Sequence, residues 1–140
     1  MDKVILTTLK QIYTPKGDVF HGMKKSDIGY DGFGEAYFSK VNKGQIKGWK
    51  KHTKMTLNIV VIAGEIEFVI YDDSTNKYKN VKLSLKNYQR LTVKPGLWMA
   101  FRGLEHNCTL LNIASIEHYP EEAENISIEK INYDWTKLDK

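Results

Sequence analysis

The apolar positions of this chain fall into short runs rather than helical stripes. The longest, residues 57–63, is rich in β-branched side chains and predicts a buried strand. Past Gly64, Ile66, Phe68 and Ile70 alternate with Glu65, Glu67 and Val69. That period of two predicts a half-buried strand over 65–71. Ala63-Gly64 between the two runs reads as a hairpin turn. Residues 35–41 have the aromatic and β-branched content of a strand, Asn42-Lys43-Gly44 is a tight turn, and 45–50 resume as a strand. Shorter strands are predicted at 4–6, at the start of 19–25, and at 81–85, 90–93, 98–101 and 108–116. Residues 14–18 make a turn, 30–34 are irregular, and 72–80 read as a polar loop. No helical period exists before residue 120. There Pro120, followed by Glu121 and Glu122, predicts the start of a short helix. Tyr133 and Trp135 predict a tail that docks on the body. Eight to ten short strands with regular turns predict an all-β sandwich or barrel.

Composition narrows this picture without changing it. A length of 140 residues fits one domain spanning 1–140, large enough for a core. A hydrophobic fraction of 41% and a charged fraction of 27% suit a water-soluble globular chain. No apolar run spans a bilayer, and the N-terminus turns polar too quickly for a signal peptide. One cysteine, Cys108, allows no intrachain disulfide, so the expected compartment is the cytoplasm. The net charge of +4 comes mostly from scattered lysines. That is not the dense basic stripe of a nucleic-acid binder, and it favours a small anionic ligand such as a phosphate or nucleotide. The only arginines, Arg90 and Arg102, bracket Pro95-Gly96. Their planar forks suit phosphate or carboxylate.

The candidate chemistry lies just before the apolar run, in Lys47-Gly48-Trp49-Lys50-Lys51-His52-Thr53-Lys54. On a strand, Lys50 and His52 share one face, together with Ile46 and Gly48. If that face lines an interior, Lys50 is partly desolvated and His52 or Lys50 can serve as a base. The alternative is a Lys50 that reaches solvent at a barrel mouth and a His52 that is a hydrogen-bonded wall residue. Trp49 can stack on a sugar or base, or pack in the core.

Two stretches resemble the cupins. The first cupin motif has its spacing in Gly44, five residues, Lys50-Lys51-His52, four residues, Leu57, six residues and Gly64. The second has its loop in Pro95-Gly96-Leu97-Trp98-Met99. Of the ligand positions Lys50, His52, Leu57 and Met99, only His52 is an ordinary ligand, so neither a metal nor another cofactor is expected. More narrowly, Gly17-Asp18, His21-Gly22, Val41-Asn42, Lys47-Gly48-Trp49, Gly64-Glu65-Ile66, Pro95-Gly96 and Tyr133-Asp134-Trp135 resemble the dTDP-4-dehydrorhamnose 3,5-epimerases and related 3,4-ketoisomerases. The resemblance implies a cupin-type jelly roll that pairs as a homodimer. It also implies an isomerase or epimerase of a dTDP-linked 4-keto-6-deoxy sugar for cell-surface polysaccharide. Its chemistry would be metal-free proton abstraction next to the keto group. It places Lys50 at the position of the family's base, Asn112 near that of the late-strand tyrosine, and Met99 at the second motif's histidine. The catalytic candidates are therefore His52 and Lys50. The substrate-binding candidates are His21, Lys24, Lys47, Lys54, Arg90, Arg102, Trp49 and Asn112. The other implied reading is a sugar-nucleotide-binding or regulatory cupin without catalysis.

Overall fold

A computed structural model describes residues 1–136. The strands form two five-stranded antiparallel sheets and one small hairpin. In the first sheet the order is β1 (Val4–Thr8), β9 (Gln89–Val93), β6 (Leu57–Ala63), β11 (Cys108–Ala114) and β4 (Glu35–Val41). In the second it is β12 (Ala123–Asn125), β5 (Ile46–His52), β10 (Trp98–Gly103), β7 (Ile66–Asp72) and β8 (Lys77–Leu83). The hairpin pairs β2 (Gln11–Ile12) with β3 (Val19–Phe20). This is the all-β sandwich that the strand count predicts, with the jelly-roll form that the cupin resemblance implies. Leu57, Ile59, Val61, Leu91, Val93 and Leu110 from one sheet pack with Ile66, Phe68, Ile70, Val81 and Leu83 from the other. Each such side chain contributes roughly 1.5–3 kcal/mol on full burial, so this layer dominates the stability.

Several sequence expectations need correction. Residues 57–63 and 65–71 do not form a hairpin. β6 lies between β9 and β11, whereas β7 lies between β10 and β8, so the chain crosses from one sheet to the other at Gly64. Gly64 has φ +70°, and an added Cβ there would meet the Cys108 Cα at 3.0 Å. Nor is β7 half-buried, because Glu67 and Val69 on its outer face are as inaccessible as Phe68 on the inner one. The C-terminal segment covers that outer face, with Tyr133 and Trp135 among the residues packed there. The polar loop at 72–80 is a four-residue turn, and Lys77 to Asn80 are already strand, paired to β7 from Asp72↔Lys77 onward. Lysines suit that position because β8 is a sheet edge, where charge discourages further pairing. The helix expected at Pro120 is a single 3-10 turn, Pro120–Glu122, which opens into β12.

A further correction shapes the functional region. Strict alternation would put Ile46 and Gly48 on the face of Lys50 and His52. Instead the β5–β10 register shifts, with Met99 opposite Lys50 but Phe101 opposite Lys47. The extra residue on β5 is the mark of a bulge, and a bulge re-aims the side chains on either side of it. Ile46 therefore packs outward with Trp49, while Lys47 joins Lys50 and His52 on the inner side. Gly48 makes the bulge possible. Its φ is +140°, and a Cβ would lie 2.6 Å from the Ala100 Cβ and 2.7 Å from the Ala100 Cα. Gly48→Ala should therefore lower the unfolding free energy by about 2 kcal/mol or more in urea denaturation. A substitution of Gly17, which has open space around it, serves as the contrast, although its own φ of +137° carries some strain.

Candidate functional site

Between the sheets, beside Lys50 and His52, the apolar layer gives way to a cavity of about 280 Å³. Leu57, Ile59, Leu110, Met99 and Phe101 make its apolar wall, and Tyr37, Ser39, Lys47, Lys50, His52, Asn112 and Asn125 bring polar groups to it. Among the described residues no aspartate or glutamate lines it. Lys47 and Lys50 line it while remaining exposed residues, so the lining carries positive charge without such a carboxylate to balance it, which favours an anionic occupant. Lys47 Nζ donates to Ser39 Oγ at 3.2 Å and to the Lys40 carbonyl at 3.1 Å, and it stands 5.8 Å from the centre of the Phe101 ring.

His52 is the best-defined group in the site. Its Nδ1 lies 2.7 Å from Glu122 Oε1. The other Glu122 oxygen accepts the backbone N–H groups of Lys54 and Met55, both at 3.0 Å. The Glu122 side chain has no solvent exposure. Burial alone would raise its carboxyl, but the bonds from His52, Lys54 and Met55 prevail and hold it below its ordinary value of 4.5. A carboxylate facing Nδ1 makes Nδ1 the protonated ring nitrogen of neutral His52. That leaves the Nε2 lone pair free, the arrangement a general base requires.

A second polar chain crosses the opposite wall. Asn112 stands directly across from Tyr37 in the β11–β4 ladder. The Asn58 N–H donates to Asn112 Oδ1 at 3.1 Å, which turns the Asn112 amide so that Nδ2 donates to Tyr37 Oη at 3.0 Å. With its lone pair engaged, the Tyr37 hydroxyl has its proton available to a neighbour. Asn58 itself faces outward, bonded to Thr92 and to the Gly29 carbonyl.

The two catalytic candidates, Lys50 and His52, both line the cavity. Of the substrate-binding candidates, Lys47, Trp49 and Asn112 do so as well, although the Trp49 indole turns outward and donates to the Ile128 carbonyl at 3.1 Å. The other five lie elsewhere. Arg90 is fully buried on the outer face of β9, where it donates to the carbonyls of Gly22 and Ile28 and pairs with Asp27. It shapes the loop that carries His21 and Lys24, and neither of these reaches the cavity wall. Arg102 donates to the Trp135 carbonyl on the outer face of β10. Lys54 presents its backbone N–H to Glu122 while its side chain is exposed. Glu122 was not a sequence candidate, because nothing local marks it and its partner is 70 residues away. The four cupin ligand positions, Lys50, His52, Leu57 and Met99, do converge on the cavity. Their donor set does not fit a metal, and among the described residues no group of three His, Cys, Asp or Glu side chains could hold one.

A family model described as FdtA: WxcM-like, C-terminal matches residues 2–127. The chain belongs to that family. No curated protein matches it significantly. Solved structures do. A dTDP sugar isomerase from Desulfovibrio desulfuricans G20 is 29% identical, with a TM-score of 0.88 over 95% of this chain and 90% of its own. A variant of the 3,4-ketoisomerase QdtA from Thermoanaerobacterium thermosaccharolyticum, in complex with TDP-4-keto-6-deoxyglucose, is 21% identical. Its TM-score is 0.78 over 89% of this chain and 88% of its own. A dTDP-4-dehydrorhamnose 3,5-epimerase from Sulfolobus tokodaii is 22% identical, with a TM-score of 0.82 over 94% and 81%. This member of the FdtA, WxcM-like family thus has the cupin jelly roll with one histidine held by a buried glutamate. Among its described residues no helix is long and apolar enough to cross a membrane.

The buried pair has a measurable pH signature. Because the folded Glu122 carboxyl sits below 4.5, its contribution to stability is complete above that pH and is lost as pH falls through the lowered value. Glu122→Gln should cost about 1–3 kcal/mol at neutral pH. The gap between wild type and variant in urea unfolding should narrow as the solution is acidified below pH 4.5.

Proposed function

We propose that this protein is an isomerase or epimerase of a dTDP-linked 4-keto-6-deoxy sugar, with His52 as the base. The observation that carries the reading is the His52–Glu122 pair on a cavity lined by two lysines and, among the described residues, by no carboxylate. The family and the solved dTDP-sugar isomerases and epimerases support the substrate class.

In this reaction His52 Nε2 removes a proton from the carbon next to the keto group. The C–H electron pair moves into the new C–C double bond, and the carbonyl pair moves onto oxygen as an enolate. Glu122 stabilises the imidazolium that forms, while the Lys50 ammonium faces the developing oxyanion. Return of a proton to the same carbon from the other face epimerises it. Alternatively, the proton of the neighbouring hydroxyl passes to the former keto oxygen, and the His52 imidazolium returns its proton to the former keto carbon. The C–C double bond then re-forms as C=O at the neighbouring position, so the keto and hydroxyl groups exchange places. Tyr37, on the wall opposite β5, supplies the proton in the first case. Lys47 pairs with the diphosphate, and the apolar wall takes the 6-deoxy methyl group. The exposed Ile28, Phe33 and Phe38 support a working homodimer by offering apolar surface to a second copy.

With dTDP-4-keto-6-deoxyglucose in D2O, NMR should show deuterium entering the carbon beside the keto group. His52→Asn should slow this exchange by about 10²–10⁴-fold, as expected for loss of a general base. Tyr37→Phe should retain exchange but slow product formation if epimerisation is the outcome. No exchange by the wild-type protein would overturn the catalytic reading. Tight dTDP-sugar binding in the same sample would then favour a binding protein.

A further inference from the structure

Glu122 has its own bonds to His52, Thr53, Lys54 and Met55, but the strand that follows it is weak. β12 is three residues long, lies at a sheet edge and carries no fully buried side chain. The 3-10 turn before it has no side-chain cap. A strand this short does not hold its own register. The segment C-terminal to β12 is far better anchored. The ladder of Ala123↔His52, Glu124↔Lys51 and Asn125↔Lys50 continues as two 3.1 Å backbone bonds between Trp49 and Ile126. Ile126, Ile128, Ile131, Tyr133 and Trp135 then pack over the outer face of the sheet around Trp49, which is fully buried. The Trp135 ring lies 5.9 Å from that of Trp49 and 5.0 Å from that of Tyr133. Tyr78 Oη donates to the Asn132 carbonyl at 2.7 Å, and Asn80 Nδ2 donates to Tyr133 Oη at 2.8 Å.

Trp49 is three residues before His52 on the same strand, so anchor and site occupy opposite faces of one short stretch. We propose that residues 126–135 are a positioning strap: their docking on Trp49 holds Glu122 against His52, so that Trp135, outside the cavity, is a positioning residue for the His52 ring. The aromatic and isoleucine packing supplies the burial that β12 lacks. Losing it lets β12 fray, and fraying withdraws Glu122 together with Asn125, the one residue of β12 that lines the cavity, while the β5 and β6 residues of the wall stay in place. The proposal builds on His52 as the functional group of the site, but its main readout needs no substrate.

The experiment is long-range 15N–1H NMR of the ring nitrogens in the full-length protein, with His21, His106 and His118 as internal references. Wild type should carry the His52 proton on Nδ1, and Glu122→Gln calibrates a ring without its carboxylate. Trp135→Ala should move that proton toward Nε2 while the other three histidines keep their shifts, and Trp135→Phe should restore most of the wild-type pattern. In the D2O exchange assay kcat should fall about two- to thirty-fold, with a smaller change in KM because Lys47 and Lys50 stay in place and only Asn125 leaves the lining. Ile131→Ala, a milder lesion in the same strap, is run alongside and should move His52 in the same direction. A folded Trp135→Ala or Ile131→Ala protein with wild-type His52 signals would overturn the proposal. So would unfolding of both variants, because the segment would then be an inseparable part of the core. A shifted His52 proton in a protein with no exchange activity would support the strap and refute only the isomerase reading.

Discussion

The constraint on which the rest of this structure depends is the burial of one carboxylate. Glu122 is removed from water inside an all-β body, a placement that costs several kcal/mol unless its oxygens are satisfied. The chain satisfies them from one short segment, with the His52 ring on one oxygen and two consecutive backbone N–H groups on the other. That demand fixes the path between β5 and β6. The Thr53 N–H and hydroxyl both donate to the Glu122 carbonyl, at 2.9 and 2.7 Å. Thr56 closes the segment through Ser115 and Asp31. The orientation of His52 is thus a by-product of satisfying a buried charge, and it leaves Nε2 as the ring nitrogen that Glu122 does not engage.

The cavity reuses cupin geometry for different chemistry. The four positions that would surround a metal do converge, but lysine, leucine and methionine occupy three of them. Cation and apolar surface replace ligands, so the space suits an anion with an apolar portion. The bulge at Gly48 adds a second lysine to the same wall. The late strand offers Asn112 where the family resemblance would place a tyrosine, yet a tyrosine hydroxyl is present, delivered from the facing residue of the neighbouring strand. An aligned position and a spatial position are different things in a sheet, where the cross-strand neighbour is as close as the next residue.

This difference explains what was legible in the sequence. The sandwich was, because alternation and turn residues are local, and so was the shared inner side of Lys50 and His52. What escaped depends on pairing across the chain. Two adjacent runs joined by Ala63-Gly64 look like a hairpin whether they share a sheet or change sheets. The outer face of β7 reads as half-exposed from Glu65, Glu67 and Val69, because the segment that covers it comes some sixty residues later. Lys77 to Asn80 read as loop because an edge strand and a polar loop share a composition. The bulge carries only a single glycine as its sign. Glu122 looks like an ordinary acid beside a proline until β12 is laid against β5. Arg90 looks like a phosphate ligand until its guanidinium is seen holding the carbonyls of the 22–28 loop.

The most direct test of the central claim, that His52 is a base aimed into an anion-receptive cavity, is a crystal structure with dTDP-4-keto-6-deoxyglucose bound. The account predicts the sugar inside the cavity, with His52 Nε2 about 3–3.5 Å from the carbon beside the keto group, a near-attack distance. Lys50 should face the keto oxygen, and Glu122 should still be bonded to Nδ1. A sugar held outside the cavity, or one whose keto group lies against a wall without His52, would contradict it.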